Sequence, residues 1–82
     1  MPTCTIKFFA QARDAIGKSE ISYHYTTGHR VSDLRKSLAE KHPQIDPLIR
    51  HCSFAIDHEY ASDEAILHDG AEVACIPPVS GG

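Results

Sequence analysis

Hydrophobic periodicity changes twice along these 82 residues, and that restricts the chain to few folds. TCTIKFFA, Thr3 to Ala10, alternates. Cys4, Ile6, Phe8 and Ala10 fall on one side, and Thr3, Thr5 and Lys7 on the other. A period of two with β-branched and aromatic residues is a strand signature. Phe9 breaks it by placing a large ring on the polar side. SEISYHY, Ser19 to Tyr25, alternates again, with Ile21, Tyr23 and Tyr25 opposite Glu20, Ser22 and His24. QARDAIG between them predicts one or two helical turns stopped by Gly17, and the short spacing predicts an antiparallel hairpin. From Val31 the period lengthens. Val31, Leu34 and Leu38 fall at i, i+3 and i+7, with Asp33, Lys36 and Glu40 off that line. Pro43 disfavours helical geometry in the residue before it, so this helix is expected to end near His42. One amphipathic helix can cover one face of one sheet, which makes the chain an α+β domain with a mixed sheet packed on a main helix.

The second half is less regular. PQIDPLIRH carries two prolines and reads as irregular chain. CSFAID, Cys52 to Asp57, reads as a short strand, and HEY as a tight connection or a strand stub. ASDEAILHDG predicts about one turn of helix and then a turn at His68-Asp69-Gly70. AEVACI, Ala71 to Ile76, is the last strand, with Val73 and Cys75 on one face. The first and last strands are apolar enough to be central; if they pair, the chain leaves the sheet at one rim. The compact body is expected over 1–76 and a flexible tail over 77–82.

Charge and cysteine usage exclude several classes. The formal charge is -3 and the eight basic residues are scattered, so no stripe exists to neutralise phosphates and a nucleic-acid partner is not expected. MPTCTIKFF lacks a basic start followed by a long apolar stretch, so no signal peptide is expected. No apolar run approaches the roughly 20 residues that cross a bilayer, so no membrane partner is expected. Three cysteines without a close pair suit a reduced, cytoplasmic chain better than a disulfide framework. Cys4 and Cys75 fall at core positions, and Cys52 is the expected exposed thiol. The six histidines show no ligand spacing with a cysteine, so a metal site is not expected. Arg13 reads as a solvated helix residue. The acidic residues of the second half, Asp57, Glu59, Asp63, Glu64, Asp69 and Glu72, read as mostly solvated, with some capacity to steer a basic partner. No nucleophile–base constellation emerges, so catalysis by this chain alone is not expected.

The sequence finishes on PPVSGG. Pro77 and Pro78 cannot donate to a strand ladder, so the last strand stops there, and two prolines in a row favour extended geometry. Val79 and Ser80 follow, then Gly81 and Gly82. Glycine has no Cβ, so such an end can lie in a narrow channel, and the Gly82 carboxylate is sterically the most open on the chain. Attack on a carboxylate anion is unfavourable. A partner using ATP would first convert it to an acyl-adenylate, and a sulfur donor displacing AMP would leave a C-terminal thiocarboxylate. The plain alternative is a solvated end, since glycine-rich termini are often unstructured.

KFFAQARDAIG (Lys7 to Gly17), VSDLRKSL (Val31 to Leu38), LHDGAEVA (Leu67 to Ala74) and PPVSGG (Pro77 to Gly82) together resemble the ubiquitin-like β-grasp sulfur carriers, and among them the molybdopterin synthase small subunits. The resemblance covers nearly the whole chain. It implies that Gly82 is adenylated by a ubiquitin-activating-like enzyme and becomes the thiocarboxylate. ATP would be used by that enzyme, with no permanently bound cofactor on this chain. It also implies that residues 77–82 insert into a large synthase subunit, within a heterotetramer, and pass sulfur to cyclic pyranopterin monophosphate. Two positions depart from the pattern. Ile56-Asp57-His58-Glu59 stands where relatives often carry Val-Asn before a Gln or Gly turn, and Ile76 stands where an aromatic is frequent. Phe9, Ile76 and Val79 form a candidate docking patch at the tail's root; the alternative for Phe9 and Ile76 is plain core packing. Carriers for thiamine synthesis or tRNA thiolation, a protein modifier, and an interaction module with an unactivated tail share the same fold reading.

Overall fold

The computed structural model describes residues 1–78. Strand β1 (Thr3–Phe8) buries Cys4, Ile6 and Phe8 and leaves Thr3, Thr5 and Lys7 half-exposed, as alternation requires. The expected extension to Ala10 fails. Ala10 has φ of 48°, is exposed, and opens helix α1 (Ala10–Ile16), so the apolar alternation overran the strand by two residues. α1 ends at Gly17, whose φ of 85° is a left-handed cap that returns its N–H to the Arg13 carbonyl at 2.8 Å. Strand β2 (Glu20–His24) comes back antiparallel to β1, with Cys4 opposite Tyr23 and Ile6 opposite Ile21.

Helix α2 (Val31–Lys41) buries Val31, Leu34 and Leu38 completely, which is the stripe that the sequence spacing defines. Its start is held in two ways. The Asp33 carboxylate accepts the Arg30 N–H at 2.9 Å, placing negative charge at the positive end of the helix. The free N–H groups of Val31 and Ser32 donate to the carbonyls of Ala65 and Asp63 at 3.0 and 2.9 Å. Those two bonds also explain a correction. The segment 62–68 forms no helical turn, because its backbone is engaged by the N-terminus of α2 and by the bridge between Arg30 and Ile66.

Residues 43–49 are not the irregular chain that their two prolines suggest. The segment is helical, with a 3-10 turn at Pro43–Ile45 followed by helix α3 (Asp46–Ile49). Both prolines sit in first-turn positions, where a missing N–H costs nothing. Ile45 and Ile49, four apart, are both buried against α2 and the sheet, and that spacing was present in the sequence.

Strand β3 (Ser53–Ile56) turns through Asp57 and His58 into β4 (Glu59–Ala61). Both turn residues have positive φ, 50° and 73°, the two-residue hairpin geometry that matches strand twist. Strand β5 (Glu72–Ile76) lies in the middle of the sheet, whose order is β2-β1-β5-β3-β4. It runs parallel to β1 and antiparallel to β3. The first and last strands therefore do pair. One face of this mixed sheet packs on α2, α3 and α1, and the core contains Phe8, Phe54, Val73, Leu34 and Leu38. Cys52, expected to be exposed, is buried at 4 % exposure beside that core.

One α2 side chain joins the layers. The Arg35 guanidinium donates to the carbonyls of Ile49 (2.6 Å) and Cys52 (2.8 Å) and to the Asp63 carboxylate (2.7 Å). It also lies 4.9 Å from the centre of the Phe54 ring. The helix, the α3–β3 junction and the 62–68 segment are thus held to one group.

Candidate functional site

The root of the tail is set by β5. Ile76 is opposite Ser53 in the register with β3, and it is the last strand residue because Pro77 has no N–H to donate. Pro77 is half-buried and Pro78 exposed, so the chain emerges from the body at this point. Val79, Ser80, Gly81 and Gly82 lie outside the described residues.

The face of the sheet turned away from the helices presents an apolar row beside that root. Register places Ala74, Ala55 and Tyr60 in one line across β5, β3 and β4, and the β1 member of that line is Lys7, which turns to Glu72. Phe8 and Cys75 are the last register partners of β1 and β5, and Phe9 and Ile76 are the residues that follow them at this end of the sheet. Phe9 is 47 % exposed and Tyr60 77 % exposed. Neither Phe9 nor Ile76 belongs to the buried core. Large exposed rings next to two alanines and an isoleucine make an apolar strip on an otherwise polar face. The sequence pattern singles out Phe9 and Ile76, and the structure adds Tyr60, Ala55 and Ala74 to the same face. The Ser53/Ala55 alternation was visible, but the line through Tyr60 depends on the two-residue turn at Asp57-His58.

At the opposite end of β5 the same face is charged. Glu72 accepts from Lys7 at 3.1 Å and from His58 at 3.3 Å. The Asp57 carboxylate accepts the Glu72 backbone N–H at 3.0 Å and the His68 Nε2 at 2.5 Å. The Glu72 N–H bond, and then His68, hold the Asp57 carboxyl below the ordinary carboxylate range. His68 is shifted upward by Asp57, and then by the Asp69 carbonyl 3.1 Å from its Nδ1. Two acceptors on two ring nitrogens suit the doubly protonated imidazolium. Asp69 in turn accepts the Thr3 N–H at 2.9 Å, fastening the start of β1. This network locks the β3–β4 turn to the start of β5; among the described residues, no ion pair involves Ile76, Pro77 or Pro78.

A family comparison matches residues 6–82 to the ThiS family. The chain belongs to that family. The molybdopterin synthase sulfur carrier subunit of Chlamydomonas reinhardtii is 37 % identical over 79 residues, covering 94 % of this chain and 95 % of that protein. Among solved structures, the putative molybdopterin converting factor subunit 1 of Pyrococcus furiosus superposes with a TM-score of 0.87 at 25 % identity, covering 96 % of this chain and all of that one. A Helicobacter pylori complex of subunits 1 and 2 of molybdopterin-converting factor matches with a TM-score of 0.70 over 98 % of this chain and 99 % of that one; at 22 % identity it speaks for the fold alone. The fold is the ubiquitin-like β-grasp of this ThiS-family group.

The titration of the charged network gives a test. His68 is raised above its ordinary 6.5, so its pairing stabilises the fold fully below that pH and is lost as pH rises through the folded value. Asp57 is lowered below 3.8, so its contribution is present above that pH and is lost as pH falls through the folded value. His68→Ala should therefore lower the thermal midpoint at pH 5.5, and the difference from the parent should shrink by pH 9. Midpoints measured across that range by circular dichroism check this.

Proposed function

We propose that this ThiS-family chain is the sulfur carrier subunit of a molybdopterin synthase. The observation that carries the reading is the family match running through Gly82, together with full-length similarity to relatives named as such carriers. The geometry of the described residues supports it: a central strand delivers Pro77 and Pro78 to the rim, beside an apolar strip suited to a partner.

The body, residues 1–76, acts as a handle, and 77–82 is the working arm. A ubiquitin-activating-like adenylyltransferase joins the Gly82 carboxylate to the α-phosphorus of ATP, breaking the α–β phosphoanhydride bond and releasing pyrophosphate, to give a mixed anhydride with AMP. Sulfur from a donor attacks the carbonyl carbon, the bond to AMP breaks, and a thiocarboxylate remains. Glycine suits this step because no side chain crowds the carbonyl. The arm then enters the large synthase subunit, and sulfur passes to cyclic pyranopterin monophosphate. Two loaded carriers are consumed for each dithiolene, as two small subunits in a heterotetramer with a large-subunit dimer would allow. The chain supplies sulfur, and the pocket and acid–base groups belong to the partner. A cytosolic setting keeps all three free thiols reduced.

Phe9, Ile76, Ala74 and Tyr60 form the docking strip against the large subunit. Aromatic residues at the centre of an apolar patch commonly dominate such contacts. Tyr60→Asp and Phe9→Asp should each weaken large-subunit binding by about tenfold or more, with the thermal midpoint little changed because both rings are outside the core. Titration calorimetry against the purified large subunit reads the first, and thermal melts read the second.

The decisive assay is loading. With ATP, an activating enzyme and a sulfur donor, the intact mass should rise by about 16 Da, the change of oxygen to sulfur, localised to Gly82. An unchanged mass, under conditions that load an authentic carrier, would contradict the reading and favour an interaction module.

A further inference from the structure

The sheet ends on β2, and among the described residues no strand pairs with its outer edge. Hydrogen bonding in an antiparallel pair alternates along the strand, so each residue turns both backbone groups to one side. Two bonds set that alternation on β2. The Phe8 N–H donates to the Ser19 carbonyl at 2.8 Å, and the Tyr25 N–H to the Pro2 carbonyl at 3.1 Å. With Cys4–Tyr23 and Ile6–Ile21 paired between them, Ser19, Ile21, Tyr23 and Tyr25 turn to β1. Glu20, Ser22 and His24 therefore turn their N–H and carbonyl groups outward. All three are exposed, while Ile21 is half-buried and Tyr23 buried on the core side. The usual guards of an edge are missing: Glu20–His24 has no lysine and no proline, and it pairs with β1 residue for residue, without a bulge.

We propose that this edge is where a second copy of the chain pairs, β2 against β2, antiparallel about a two-fold axis at Ser22. In that register Ser22 faces the second copy's Ser22, and Glu20 faces the second copy's His24, twice over by symmetry. Every outward residue then exchanges both backbone bonds with its opposite number. Facing Cα atoms in such a pair stand about 5.5 Å apart, close enough for the Glu20 carboxylate to accept an imidazole N–H. The imidazole carries an N–H in either protonation state. The charges at this edge are thus complementary to their own copy. Lys7, the register partner of Glu20 on β1, is engaged by Glu72, and among the described residues neither Glu20 nor His24 makes an ion pair within the chain. Other registers do worse. Centring on Glu20 or His24 sets like residues opposite each other. Centring on Ile21 or Tyr23 pairs an outward residue with one beyond the strand. On the core side of the Ser22 register, Ile21 faces the second copy's Tyr23, and the half-buried isoleucine is covered.

Two five-stranded sheets join into one continuous sheet in this arrangement. The two-fold axis is normal to the sheet, so both helix layers lie on one side and both outer faces on the other. β5 is separated from β2 by β1 and runs in opposite directions in the two copies, so the two chain ends leave at opposite rims. The strip of Ile76, Ala74 and Tyr60 lies on β5 and β4, away from the joint, and stays open. One short strand from each copy is a small contact against the roughly 1,200 Å² or more of stable specific interfaces. Pairing is accordingly reversible, with a dissociation constant on the order of 100 µM. This inference does not depend on the carrier reading.

Sedimentation equilibrium of the full-length chain, from about 10 µM to about 1 mM, tests this. The average mass should rise with concentration toward twice the monomer mass and no further. Ser22→Pro removes an outward N–H that makes no bond within the sheet, so it should keep the fold and weaken pairing by about tenfold or more. His24→Glu sets a glutamate opposite Glu20 and should weaken pairing similarly. Adding Glu20→Lys to His24→Glu restores opposite charges and should restore the dimer. Should Ser22→Pro fail to fold, the charge exchange decides, since both of its positions are exposed. The proposal is overturned by a monomer at every concentration, or by growth beyond the dimer, as β2 pairing with the β4 edge of another copy would give. It is also overturned if the double variant is not rescued, or if the dimer ignores the Ser22 and His24 changes and is lost instead with Tyr60→Asp.

Discussion

The pairing of β5 on both sides is the constraint on which the rest of the molecule depends. A strand near the end of a short chain is normally prone to fraying. Here it is inserted between β1 and β3, so its backbone is satisfied on both edges and its Val73 and Cys75 side chains are completely buried. Parallel pairing with β1 requires everything between residues 8 and 72 to act as the crossover, which is why α2 must lie across the sheet. The exit point of the C-terminal residues is thereby fixed relative to the whole body.

That arrangement makes one side of the molecule structural and leaves the other for contact. The core face contains aliphatic and aromatic side chains from every layer, with Arg35 bonding α2 to the α3–β3 junction and to the 62–68 segment. The opposite face divides by chemistry. Its far end has the Lys7, Asp57, His58, His68 and Glu72 network, and the near end the Phe9, Ile76 and Tyr60 strip. For a sulfur carrier of the molybdopterin synthase type this division is useful. The apolar end would bind where the arm enters a partner, and the charged end holds the β3–β4 turn away from it.

Most of the architecture could be read from the residues, for identifiable reasons. Alternation in β1, β2 and β5 and the Val31, Leu34, Leu38 stripe report burial directly, since each side chain's environment follows from its period. The failures occur where local pattern and tertiary context disagree. Ala10 continued the alternation but begins a helix. Pro43 and Pro47 looked like breakers, yet each occupies a first helical turn. Residues 62–68 had local helical character, but their carbonyls cap α2 instead. Cys52 was placed outside because nothing in its immediate neighbours signals that α3 folds over it. For the candidate site, Phe9 was legible as an interruption of a clean pattern, whereas the Ala55, Ala74 and Tyr60 line required the strand register.

The central physical claim is that the base of the C-terminal arm is as firmly held as the core itself. Native-state hydrogen exchange measures this residue by residue. The account predicts that the protected amides of Val73, Ala74 and Cys75 exchange only through global unfolding, with the same free energy and denaturant dependence as those of Leu34 and Leu38 in α2. Exchange of the β5 amides through a separate, lower-energy opening, with α2 still protected, would contradict it.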